Sequence, residues 1–80
     1  MSSRLPAVRP RDVVRALERA GWEVARQRGS HLSMKKAGSR FVVTVPMHHR
    51  DLPKGTLAGI IDDAELTVDE FIDLLRGKSQ

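Results

Sequence analysis

Arg26-Gln27-Arg28-Gly29-Ser30-His31-Leu32-Ser33-Met34-Lys35 is the stretch that decides the fold. Gly29-Ser30 has the chemistry of a tight turn. On either side of it the pattern has a period of two. Before the turn, Trp22, Val24 and Arg26 alternate with Glu23, Ala25 and Gln27; after it, His31, Ser33 and Lys35 alternate with Leu32 and Met34. Successive side chains of a strand point to opposite faces, so the second segment reads as a strand with one wet and one dry face. Further out, Ala37-Gly38-Ser39 supplies a second turn. Phe41-Val42-Val43-Thr44-Val45 then forms a β-branched run that Pro46 ends. The prediction is a three-stranded antiparallel meander.

Helical spacing takes over on both flanks. Pro10 suits a first helical position, Val13, Val14, Leu17 and Ala20 recur on one side, and Gly21 fits just past the end, which predicts a helix over Pro10–Ala20. Leu57, Ile60, Ile61 and Ala64 predict a second helix starting at Pro53 or Lys54. Thr67-Val68-Asp69-Glu70 has the capping-box pattern, and Phe71, Ile72, Leu74 and Leu75 follow on a short last helix stopped by Gly77. The order is αβββα plus a terminal helix, an α+β two-layer fold. Double-stranded-RNA-binding domains share that order, a likeness of topology only. Trp22, at the start of a strand in a small protein, is expected in the core or at its edge. Residues 1–80 read as one domain, with Met1–Val8 as a loose lead-in.

Eighty residues without cysteine leave no disulfide or thiolate zinc site to hold the chain together. A hydrophobic fraction of 40% is enough for a compact core without them. No apolar run is long enough to span a bilayer, and Met1–Arg11 lacks that of a secretory signal, so the expected compartment is cytoplasmic. Charge is unevenly distributed. Met1–Lys54 carries twelve Lys/Arg against four Asp/Glu, a balance of +8; Gly55–Gln80 carries two against six, a balance of −4. A cationic body with an anionic end points to a polyanionic partner, RNA or DNA first.

Catalytic options are few: there is no tyrosine or cysteine, and the histidines are His31, His48 and His49. Asp62-Asp63-Glu65 reads as a solvated helix face rather than a metal site, since neighbouring helical side chains diverge. No metal or other cofactor is expected. RNA carries its own nucleophile in the 2′-hydroxyl, so cleavage needs proton transfer and stabilisation of phosphate charge. Imidazole suits the first because its reference pKa of about 6.5 lies near neutrality; arginine and lysine suit the second. His31 opens a strand beside the Gly29-Ser30 turn, where backbone can approach a ligand closely. Arg26 and Arg28 precede it and Lys35 and Lys36 follow. A half-exposed strand histidine without a role is the competing reading. For His48-His49, phosphate contact, positioning and plain solvation all stay open.

The chain also resembles the HicA toxin family. The likeness rests on Leu5-Pro6, Ala16-Leu17-Glu18-Arg19-Ala20-Gly21-Trp22, Arg26-Gln27-Arg28-Gly29-Ser30-His31, Val43-Thr44-Val45-Pro46-Met47-His48 and Lys54-Gly55-Thr56-Leu57-Ala58-Gly59-Ile60-Ile61, in that order. The resemblance implies the toxin of a type II toxin–antitoxin pair: an mRNA interferase with a double-stranded-RNA-binding-like fold, cleaving mRNA and neutralised by a HicB-type antitoxin. It places the family's essential histidine on His31, a further histidine on His48, and the lysine opening the next helix on Lys54. Two small departures are Arg9, where a capping Ser or Asp is usual, and His49, where a small residue is common. The alternative is a non-catalytic RNA-binding module of the double-stranded-RNA-binding type, or a domain whose basic face meets only an acidic protein. A cluster of lysines at the start of the last main helix would favour the RNA-binding module, and Lys54 stands alone there.

Overall fold

The computed structural model describes residues 5–78. Its elements run α1 (Pro10–Arg19), β1 (Glu23–Arg28), β2 (His31–Lys35), β3 (Val43–Pro46), α2 (Lys54–Asp63) and α3 (Val68–Leu75). The strands form one antiparallel sheet in the order β1-β2-β3. This is the expected α+β arrangement, consistent with a double-stranded-RNA-binding-like αβββα fold.

α1 starts at Pro10, with Arg9 as an N-cap whose side chain caps nothing; the Arg9 carbonyl accepts from the Asp12 and Val13 amides at 3.0 and 3.2 Å. Pro10, Val13, Ala16 and Leu17 are buried along one face. The helix stops one residue before the sequence expectation, with Ala20 as its cap. Gly21 takes φ +99°, which lets the Trp22 amide donate back to the Leu17 carbonyl at 3.0 Å. Trp22 thereby swings into the core and is 1% exposed, its indole N–H without an acceptor among the described residues.

α3 carries the full capping box. The Glu70 amide donates to Thr67 Oγ1 at 3.1 Å, and the Thr67 amide donates to Glu70 Oε1 at 2.8 Å. It packs on α1, where Arg19 Nη1 donates to the Leu74 carbonyl at 2.6 Å. α1 and α2 pack mainly on the β3 side of the sheet. Leu32 and Met34 of β2 and Val43 and Val45 of β3 close the core from the sheet side. Of the lead-in, residues 1–4 lie outside the described part, while Leu5 and Val8 are buried in the same core.

The structure departs from the simple alternation twice. All six residues of β1 are exposed, because the helical layer covers the β3 side and leaves β1 overhanging. Its register also slips between Val24 and Arg26, leaving Ala25 as a bulge. The run Phe41–Val45 is strand only from Val43. β2 and β3 last pair at Met34 and Val43, and the Phe41 amide is taken by Ser39 Oγ at 3.2 Å, so Phe41 and Val42 stay exposed in the turn.

Truncating the largest fully buried side chain tests this core. Trp22→Ala is expected to lose about 3–5 kcal/mol, comparable to the whole stability of a small domain, and chemical denaturation should show a chain largely unfolded without denaturant.

Candidate nucleic-acid interface

The face of the sheet away from the helices is open. Its composition follows from β2, where Leu32 and Met34 are buried and His31, Ser33 and Lys35 point the other way. Cross-strand partners share a face, so the register builds the site row by row. The first row is Arg28, His31 and Pro46; the second is Arg26, Ser33 and Thr44; in the third, Glu23 stands opposite Lys35. Unbroken alternation from Val24 would have turned Arg26 and Arg28 toward the helical side. The bulge at Ala25 restores them to the face of His31.

His31 is exposed at the mouth of a two-residue turn. Gly29 there has φ +56° while Ser30 has negative φ, the pattern of a type II′ hairpin turn. Arg28 and His31 flank that turn as a hydrogen-bonding pair, with Cα atoms about 5.5 Å apart in such geometry. No hydrogen bond or ion pair among the described residues ties up the imidazole or the Arg28 guanidinium. On the other side, the Met47 amide donates to the Ser30 carbonyl at 2.6 Å, which fastens the end of β3 to the turn. Pro46, lacking an N–H, stands opposite His31 at a position where the ladder asks for none.

The chain then leaves the sheet through the loop 47–53, which begins with the His48 amide donating to the Pro46 carbonyl at 3.2 Å. The loop is held to the N-terminal segment by the Leu52 amide on the Val8 carbonyl, 2.9 Å, and by Arg9 Nε against Asp51 at 3.4 Å. An open groove runs along each side of it. One is lined by Pro46, His48, His49, Arg50, Pro53 and Thr56, and the other by Arg9, Arg11, Asp12, Met47, His48 and His49.

The anticipated residues are therefore distributed. Arg26, Arg28 and His31 share the open face with the Gly29-Ser30 turn at its end, and His48 hangs from that end on the loop. Lys54 opens α2, exposed, beyond the loop. Lys35 shares the face but lies four residues along β2, roughly 13 Å from His31. Lys36 lies at the far end of the hairpin, its aliphatic chain against Gly21. His49, for which phosphate contact, positioning and solvation were all left open, lines both loop grooves. Arg9, Arg11 and Arg50 join them although the sequence reading gave those three no site role; a run of two histidines and an arginine after Pro46 was the available signal. Among the described residues, no three His, Asp or Glu side chains gather as a metal site.

A family model described as HicA toxin of bacterial toxin–antitoxin systems matches residues 10–66. The chain belongs to the HicA toxin family. Among curated proteins, comparison finds no match. Family membership makes the chain the toxin of a toxin–antitoxin pair, in a family whose members are generally RNases. The matched span takes in α1, the whole sheet, the loop and α2; α3 lies beyond it. No helix among the described residues is long and apolar enough to cross a membrane.

The turn that presents His31 gives a stability prediction. A Cβ on Gly29 would meet nothing within 4 Å, so substitution strains only the backbone. Gly29→Val should cost about 1–2 kcal/mol, and Gly29→Asn less, as read from denaturation midpoints.

Proposed function

We propose that this HicA toxin is a metal-independent endoribonuclease that cleaves mRNA in the cytoplasm, with His31 as general acid/base, and that a HicB-type antitoxin silences it. The observation that carries this reading is the row Arg28–His31: a free imidazole and a free guanidinium side by side, exposed, on the open face of the sheet. His31 takes the proton of a ribose 2′-hydroxyl as that oxygen attacks the adjacent phosphorus. The bond from phosphorus to the 5′-oxygen breaks, leaving a 2′,3′-cyclic phosphate on one fragment. The departing 5′-oxygen takes up a proton, from His48, water or the RNA itself, to become a hydroxyl.

Arg28 supplies charge-assisted hydrogen bonds to the phosphate as negative charge builds on it. Arg26, one row on, extends the cationic track to a neighbouring phosphate, with Lys35 further along the strand. The Gly29-Ser30 turn, bare of bulky side chains, lets the RNA backbone come close. His48 and Lys54 hold the strand where it leaves the sheet.

His31→Ala should reduce cleavage by about 10²–10⁴-fold and abolish growth arrest, with the folded state intact because the side chain is exposed. Undiminished toxicity of that variant would end the proposal; tight RNA binding with no cleavage by the parent would favour the non-catalytic binding module instead. Arg28→Ala should lower kcat/KM by about tenfold to a hundredfold. Activity should persist in excess EDTA and weaken as salt rises, since phosphate contacts release counterions. Purified toxin on a defined transcript suffices for all of these.

A further inference from the structure

β1 is an edge strand exposed along its whole length, and the hydrogen-bond phase of the sheet shows which of its backbone groups are spare. Ser30 accepts from Met47, so the backbone groups of Ser30 and Leu32 face β3, while those of His31 and Ser33 face β1. The groups of Arg28 and Arg26 are thus spent on β2. Those of Gln27, opposite Leu32, point outward with no partner among the described residues. On either side of that spare N–H and C=O stand Arg26 and Arg28, both on the open face. Beyond the bulge, Val24 offers an apolar side chain 48% exposed.

We propose that this edge is where the antitoxin docks, by adding an extended strand of its own to β1. The inference rests on the reading of the chain as a silenced RNase, and it specifies the chemistry of the silencing segment. The added strand donates to and accepts from Gln27, carries carboxylates at alternate positions facing Arg26 and Arg28, and sets an apolar residue against Val24. Its nearest residue extends the row Pro46–His31–Arg28 by one place. A carboxylate there occupies the guanidinium that the phosphate needs, and the rest of the partner covers His31.

Three physical arguments select this occupant. An outward N–H next to an outward C=O matches a peptide strand, whereas RNA phosphate offers acceptors only and leaves the carbonyl unmet. Pairing with a second copy of the chain about Gln27 sets arginine opposite arginine, which repels. The bulge and the two arginines are features that blunt an edge against indiscriminate pairing, so what pairs here has to be short and acidic.

The test uses the His31→Ala toxin co-expressed and purified with the antitoxin of its pair. Amide hydrogen exchange at Gln27 should be fast in the free toxin and at least about tenfold slower in the complex. With Gln27→Ala as the control for the lost side-chain bond from Gln27 Nε2 to the Gly29 carbonyl, 3.1 Å, Gln27→Pro removes the outward N–H without touching the β1–β2 ladder. It should weaken antitoxin binding by about tenfold, and in the parent background leave RNA cleavage within about twofold. If that variant folds poorly, Val24→Asp, which opposes the acidic strand, should weaken binding in the same direction. The proposal is overturned if no complex forms, if the complex forms with Gln27 still exchanging fast, if both variants bind as tightly as the parent, or if RNA rather than antitoxin protects that amide. Binding and exchange are read without any cleavage step, so a toxin that proves not to cut RNA fails the functional proposal and leaves this one to stand or fall on its own data.

Discussion

The burial of Leu32 and Met34 is the constraint from which the rest of the molecule follows. Two apolar side chains two residues apart anchor β2 to the core, and the pleat then has no freedom over where His31, Ser33 and Lys35 point. Val43 and Val45 anchor β3 in the same register, which brings Pro46 to the flank of His31 and hands the chain on to the loop of His48. The exposed chemistry is thus positioned by the buried side chains behind it, with no hydrogen bond to the imidazole needed.

β1 obeys a different logic. It has no core beneath it to enforce a face, and the irregularity at Ala25 decides where its side chains go. The two arginines reach the open face through that single extra residue. Bulges concentrate beside functional sites for this reason: they re-aim side chains at small cost. The same strand, lacking cover from the helices, also leaves backbone groups unspent at the margin of the sheet, within one row of the imidazole. The proposed substrate chemistry and the proposed partner recognition would thus share one hairpin.

Much of this was legible beforehand. β2 could be read because its two faces differ in polarity at every step, α3 because Thr67 and Glu70 announce its start, and the turn because Gly29 supplies the positive φ it demands. His31 stood out because a glycine turn and flanking cations surround it in sequence; in space the turn, Arg28 and Arg26 stay near it, while Lys35 and Lys36 lie further along the hairpin. Three features were not legible. Ala25 has no side-chain signature of a bulge. Phe41 and Val42 have strong strand propensity, but β2 offers no pairing beyond Met34 to receive them. The grooves around His48 and His49 come from contact between the N-terminal segment and the loop, through Val8, Arg9, Asp51 and Leu52, groups some forty residues apart in the chain.

The connection between Arg28 and His31 is only two residues long, and it joins a strand whose faces are fixed by the core to one whose faces are not. Surface loops ordinarily absorb insertions and deletions freely. Here a change of one residue in length would put the basic strand out of phase with the imidazole, even if the core packed as before. In evolutionary terms the spacing of this connection is far less free than its composition, and divergence should accumulate as substitutions within it rather than as gaps.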